Sequence, residues 1–118
     1  MKRWIPSNQP RGAFEDDLQY LESLVQRIEK RGGRVVFVRF PTDKGIWQID
    51  EGRLPRKQYW DKFARLTSAD TIHFKDYPDL SCFDQPDGSH LDYRDAIPFT
   101  DALSRIIFRQ KIHTANAL

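Results

Sequence analysis

The sequence predicts an α/β fold, and three observations carry the prediction. A long amphipathic helical pattern ends at Gly32-Gly33 and passes directly into the apolar run "RVVFVRFP", Arg34 to Pro41. A second strand-like segment, "DTIHFKDY" from Asp70 to Tyr77, follows a short helical pattern and precedes a last helix. The resulting order, α-β-α-β-α, is that of parallel strands joined by helical connections, with the helices packed on the sheet.

Residues 1–12 hold two prolines and a glycine and are expected to form an arm, with Trp4 and Ile5 as its docking side chains. From Ala13 to Arg31, Phe14, Leu18, Leu21, Leu24, Val25 and Ile28 recur at helical spacing. Glu15, Asp16 and Asp17 load the first turn, and Arg27, Lys30 and Arg31 the last, as the helix dipole favours. Gly32 supplies the stop. Val35 to Val38 is an unbroken run of β-branched and aromatic residues, which reads as a strand covered on both faces.

Residues 42–55 read as a loop anchored by Trp47 and Ile49, and Arg56 to Leu66 as a short helix packing Tyr59, Trp60, Phe63 and Leu66. Between Asp70 and Tyr77, Ile72 and Phe74 alternate with His73 and Lys75, which predicts a less buried strand with His73 on the solvent side. A loop then runs to Ser89. The last helix covers Tyr93 to Gln110, with Ala96, Phe99, Leu103, Ile106 and Ile107 facing the core. Pro98 falls in its first turn, where a missing N–H costs least. Residues 13–110 are thus expected to form one domain, and 111–118 a flexible tail.

The length of 118 residues suits one domain with a modest core. Charged residues make up 31%, but the signs nearly cancel at a net charge of +2, which predicts no nucleic-acid partner. Lys2, Arg3, Arg11 and the Arg27–Arg34 group are interspersed with acids and read as solvated surface. A single cysteine, Cys82, excludes an internal disulfide and suits a reducing compartment. There is no apolar run near about 18 residues and no apolar h-region at the start, so neither membrane insertion nor a signal peptide is expected, and the expected location is the cytoplasm. The three histidines and Cys82 lack metal-ligand spacing, so neither a metal nor a cofactor is expected.

In open α/β sheets, ligands bind beyond the carboxyl ends of the strands. The loops 41–55 and 77–92 both leave such ends. The second contains "FDQPDGSHLDYRDAIPFTDAL", Phe83 to Leu103, which sets Asp87 and His90 three residues apart across a Pro/Gly turn. Two readings of the pair stand. Asp87 can cap the turn while His90 packs at the helix start, with Asp92 as N-cap and Asp95 in the first helical turn. Alternatively, Asp87 can hold one imidazole nitrogen, fix the tautomer and leave the other nitrogen as a general base. Ser89 and Ser81 read as turn-stabilising hydroxyls rather than nucleophiles. Cys82 reads as a small buried hydrophobe, His113 as part of the fraying tail, and Trp47, Tyr59 and Trp60 as core aromatics.

The block "DQPDGSHLDYRDAIPFTDAL" resembles the closing segment of the SGNH (GDSL-like) hydrolases, which place Asp-x-x-His between the last strand and the C-terminal helix. The preceding pieces keep the same order: a helix, "GGRVVFVRFP", a loop, "YWDKFARL", a strand, then the motif. The resemblance spans most of residues 13–109 but only the C-terminal half of that family's fold. It implies a partial flavodoxin-like, three-layer domain with a short parallel sheet and flanking helices. It also implies Asp87 as triad acid and His90 as triad base of a serine-type ester hydrolase or acyltransferase. The pattern is most similar to members associated with acyl transfer to cell-envelope polymers. The family's Gly-Asp-Ser nucleophile turn and its Gly-x-Asn-Asp segment are not in this sequence.

The expectation is therefore a stand-alone SGNH-derived domain, non-catalytic by itself and acting through association. One alternative is part of an esterase or acyltransferase whose serine comes from another segment or chain, such as a complementing N-terminal half. Another is a small-molecule binding module on the loop rim. "VVFVRF" is too apolar for an exposed sheet edge, which leads to the expectation of a homodimer formed through that edge.

Overall fold

The computed structural model describes residues 12–117, with side chains through Arg109. It is a mixed α/β chain in the order α1 (Ala13–Lys30), β1 (Val36–Arg39), α2 (Lys44–Arg53), α3 (Trp60–Leu66), β2 (Asp70–His73), α4 (Pro78–Ser81) and α5 (Ala96–Ala117). Short 3-10 turns occupy Phe74–Asp76 and Tyr93–Asp95. β1 and β2 pair as a short two-stranded parallel sheet. The arm with Trp4 and Ile5 lies outside the described residues. Within them the chain groups into two compact units, 12–35 with 49–70, and 36–48 with 71–117.

In the first unit, α1 opens with the Gly12 N–H donating to Glu15 Oε2 at 3.2 Å. It closes in a paired C-terminal motif. Gly32 N–H reaches the Glu29 carbonyl at 3.0 Å and Gly33 N–H the Ile28 carbonyl at 3.0 Å. That geometry needs the positive φ of 84° at Gly32, which a side chain would disfavour. Val25 is the residue α1 buries fully. Polar contacts along α1 fix the residues around α3. Lys62 pairs with Glu15, the Thr67 hydroxyl and Ser68 N–H donate to Glu22 at 2.8 and 3.1 Å, and the Ser68 hydroxyl donates to Glu29 at 2.8 Å. Phe14 meets Tyr59 edge-on at 4.9 Å. Arg34 pairs with Asp70 at 2.6 Å, which joins the start of "RVVFVRF" to the start of β2.

The second unit is built on Ile72, Phe74, Leu80, Phe99 and Ile106, all buried, with Val36, Val38, Trp47, Leu103 and Ile107 packed against them. Burying an Ile or Leu side chain of this kind stabilises by about 1.5–3 kcal/mol. Phe99 is the hinge of the aromatic packing, with Phe40 at 5.5 Å and Phe83 at 5.6 Å. These contacts seat α5 beside the chain that leaves β1 and the chain that leads into the Asp87–His90 turn.

Several expectations change. Residues 42–55 are not a loop: Lys44–Arg53 is helical, capped by Asp43, whose Oδ1 accepts the Ile46 N–H at 2.8 Å. The helix expected from Arg56 starts at Trp60, after a turn at 56–59. β2 stops at His73 because Phe74–Asp76 coils into a 3-10 turn, whose Lys75 N–H donates to His73 Nδ1 at 3.2 Å. His73 is accordingly buried, edge-on to Trp47 at 5.4 Å, and not on the solvent side. β1 is half-buried along all four residues rather than fully covered, since a two-stranded sheet shields its faces less than a wide one. Pro78 starts α4 within the expected loop, and α5 continues past Gln110 to Ala117. Ala96, expected on the core side, is exposed.

This packing is checked by a pair of substitutions. Ile72→Ala, at 0% exposure, is expected to lower unfolding free energy by about 2–5 kcal/mol. Ile97→Ala, at 83% exposure, is expected to change it by under about 0.5 kcal/mol. Urea denaturation of the two variants separates them, and equal losses would contradict this placement of the core.

Candidate functional site

The turn that follows α4 is shaped by Gly88. Its N–H donates to the Gln85 carbonyl at 2.9 Å, and its φ of 95° lies in the left-handed region. This reversal brings the chain back over the carboxylate of Asp87. Asp87 Oδ1 accepts the backbone N–H groups of Ser89 at 3.1 Å and His90 at 2.7 Å. Asp87 Oδ2 lies 2.7 Å from His90 Nδ1. The two residues singled out from the sequence are therefore in direct contact, through both backbone and side chain.

The electrostatics assign the proton. The backbone N–H of His90, then that of Ser89, then the His90 ring hold the Asp87 carboxyl down at about 2, below its ordinary 3.8. An ionised carboxylate can only accept hydrogen bonds, so the 2.7 Å contact puts the ring proton on Nδ1. In the neutral ring Nε2 then carries the lone pair, and it has no hydrogen-bond partner among the described residues. The His90 side chain is 80% exposed, so Nε2 is open to an incoming group.

The turn is bonded to the rim of the sheet. Asp43, four residues after the carboxyl end of β1, donates its N–H to the Gly88 carbonyl at 2.8 Å. On the other side, Asp92 caps the 3-10 turn ahead of α5 by accepting the Arg94 N–H at 2.9 Å. The Arg94 side chain, and then its N–H, hold the Asp92 carboxyl at about 2. Asp95 completes that turn by donating its N–H to the Asp92 carbonyl at 2.9 Å.

The other candidates fall into place around this pair. Ser89 Oγ approaches His90, but it lies 3.3 Å from Nδ1. That nitrogen already faces Asp87, so Ser89 is not placed for activation by Nε2. Ser81 ends α4 and is exposed. Cys82 is exposed rather than buried, its thiol 3.8 Å from the Asp79 carbonyl. Trp47 packs against the core of the second unit. Among the described residues no three His, Cys, Asp or Glu side chains form a metal-binding group. A groove of about 430 Å³, lined by Leu18, Phe63 and Leu66 among others, belongs to the first unit and contains neither Asp87 nor His90. No helix among the described residues is long and apolar enough to cross a membrane.

Two residues that shape the site, Asp43 and Gly88, were not singled out from the sequence. Gly88 carried a signal in the Asp-Gly pair at 87–88, which favours a positive-φ turn. Asp43 carried a weaker one, as an N-cap residue ahead of Ile46 and Trp47. Compared with family models, curated proteins and solved structures, the chain has no match.

The carboxyl shift has a consequence with a defined sign. The folded value of Asp87 is depressed, so ionisation supports the turn above pH 3.8, and that support is lost as pH falls through about 2. A carbon-13 NMR titration of Asp87 should therefore show a midpoint near 2. In His90→Ala most of the depression should persist, because the largest causes are backbone N–H groups. A midpoint of 3.8 in the unsubstituted chain, or complete loss of the shift in His90→Ala, would contradict the hydrogen-bond pattern described.

Proposed function

We propose that this chain is an SGNH-type domain carrying the acid–base half of a serine-type ester hydrolase or acyltransferase site. The 2.7 Å contact between Asp87 Oδ2 and His90 Nδ1, with Nε2 exposed, carries the reading. This is the arrangement a triad base requires: one nitrogen held by a carboxylate, the other directed at the nucleophile. The Asp-x-x-His spacing ahead of a C-terminal helix, and the place of the turn beside the exit of β1, support it.

The chemistry follows from these roles. A serine hydroxyl brought to Nε2 gives up its proton to the ring as its oxygen attacks an acyl carbonyl. The resulting imidazolium is stabilised by the ionised Asp87. As the tetrahedral intermediate collapses, Nε2–H returns the proton to the departing alkoxide, leaving an acyl-serine and an alcohol. Water or an acceptor hydroxyl then repeats the cycle and releases the acyl group. The serine and the oxyanion donors come from another segment or chain, because no described hydroxyl is placed at Nε2. By itself the chain is non-catalytic, and it acts through that association.

Both halves of the proposal can be measured. Alone, the chain should hydrolyse short acyl esters no faster than His90→Ala. Combined with the nucleophile-bearing half of an SGNH-type enzyme, it should support ester turnover that falls by about 10²–10⁴-fold in His90→Ala. A His90-dependent rate from the chain alone would overturn the claim that the nucleophile lies elsewhere. Pairings that all lack His90-dependent turnover would overturn the acid–base role.

A further inference from the structure

We infer that Asp43 is a positioning residue for His90, acting through the peptide unit between Gly88 and Ser89. Its meaning for catalysis rests on the acid–base reading above, but its geometry can be tested without any activity.

Asp43 is held firmly in place as the cap of α2. Its Oδ1 accepts the Ile46 N–H at 2.8 Å and its carbonyl accepts the Trp47 N–H at 2.9 Å. Its own N–H is then fixed in direction, and it donates to the Gly88 carbonyl at 2.8 Å. The peptide bond is planar, so fixing the Gly88 C=O also fixes the Ser89 N–H at the other end of the same plane. That N–H is one of the two that donate to Asp87 Oδ1. A continuous path therefore runs from the α2 cap through one rigid peptide to the Asp87 carboxylate, and from there to His90 Nδ1.

Packing reinforces the path. Gly88 is buried, and a Cβ added there would lie 2.8 Å from Ile46 Cδ1 and 3.3 Å from Asp43 Oδ2. The turn is seated directly on the first turn of α2, with no space for a side chain between them. The tip of Ile46 and the carboxylate of Asp43 together form the surface that receives it.

The test uses Asp43→Ala and Asp43→Asn with the Asp87 titration as readout. Asp43→Ala removes the cap, and the Asp87 midpoint is expected to rise from about 2 toward 3.8 as the Ser89 N–H loses its alignment. Deleting a neighbouring negative charge would by itself move the midpoint down, so the direction separates positioning from simple charge removal. Asp43→Asn keeps an oxygen for the Ile46 N–H and is expected to keep the low midpoint. An unchanged or lowered midpoint in Asp43→Ala would overturn the inference, as would an equal rise in Asp43→Asn. If Asp43→Ala does not fold, Asp43→Gly, which lacks the capping oxygen but is tolerated at an N-cap, serves in its place. A raised midpoint supports the inference, and an unchanged or lowered midpoint overturns it. Absence of ester turnover in every pairing would count against the acid–base reading and leave these titrations unaffected.

Discussion

The Asp87 carboxylate does two things at once, and the rest of the site depends on both. One oxygen gathers the backbone N–H groups of Ser89 and His90, which closes the turn. The other holds the ring of the same His90, which fixes the tautomer. The backbone bonds keep the group ionised, and the ionised group keeps the proton on Nδ1. Neither effect uses burial: Asp87 and His90 are 59% and 80% exposed. In an exposed site the Coulomb attraction of a pair is weakened by water. Short-range hydrogen bonds order the ring instead, and the turn supplies them.

An exposed pair also needs a foundation. The second unit provides one on each side of the turn. Upstream, Phe83 leads in from α4 and packs on Phe99 of α5. Downstream, Asp92 caps the 3-10 turn that opens into α5. The core beneath is small, with Ile72 and Leu80 wholly buried, and it holds these segments in register. Under the proposed reading, the exposed His90 ring is where a partner would bring the nucleophile.

Much of this was legible in the sequence, and the failures have physical reasons. α1 was legible because its apolar spacing, its charge distribution and Gly32 all favour the same ends. The Asp87–His90 contact was legible because it is local, made across three residues of a Gly-containing turn. α2 was not, since Gly45 and Gly52 interrupt a weakly patterned stretch and the decisive feature is a single cap at Asp43. The alternation of Ile72 and Phe74 with His73 and Lys75 predicts His73 on the solvent side, but the strand that would sustain it ends at His73. With β2 ending at His73 and a 3-10 turn following, His73 and Phe74 both turn inward. The bond from Asp43 to Gly88 spans 45 residues of sequence and leaves no local pattern to find.

Nitrogen-15 NMR of the His90 ring in its neutral form tests the central claim most directly. If Asp87 sets the tautomer, Nδ1 should be protonated and pyrrole-like and Nε2 unprotonated and pyridine-like, and Asp87→Ala should abolish the preference. A ring proton found on Nε2, or a tautomer ratio indifferent to the loss of Asp87, would contradict the claim.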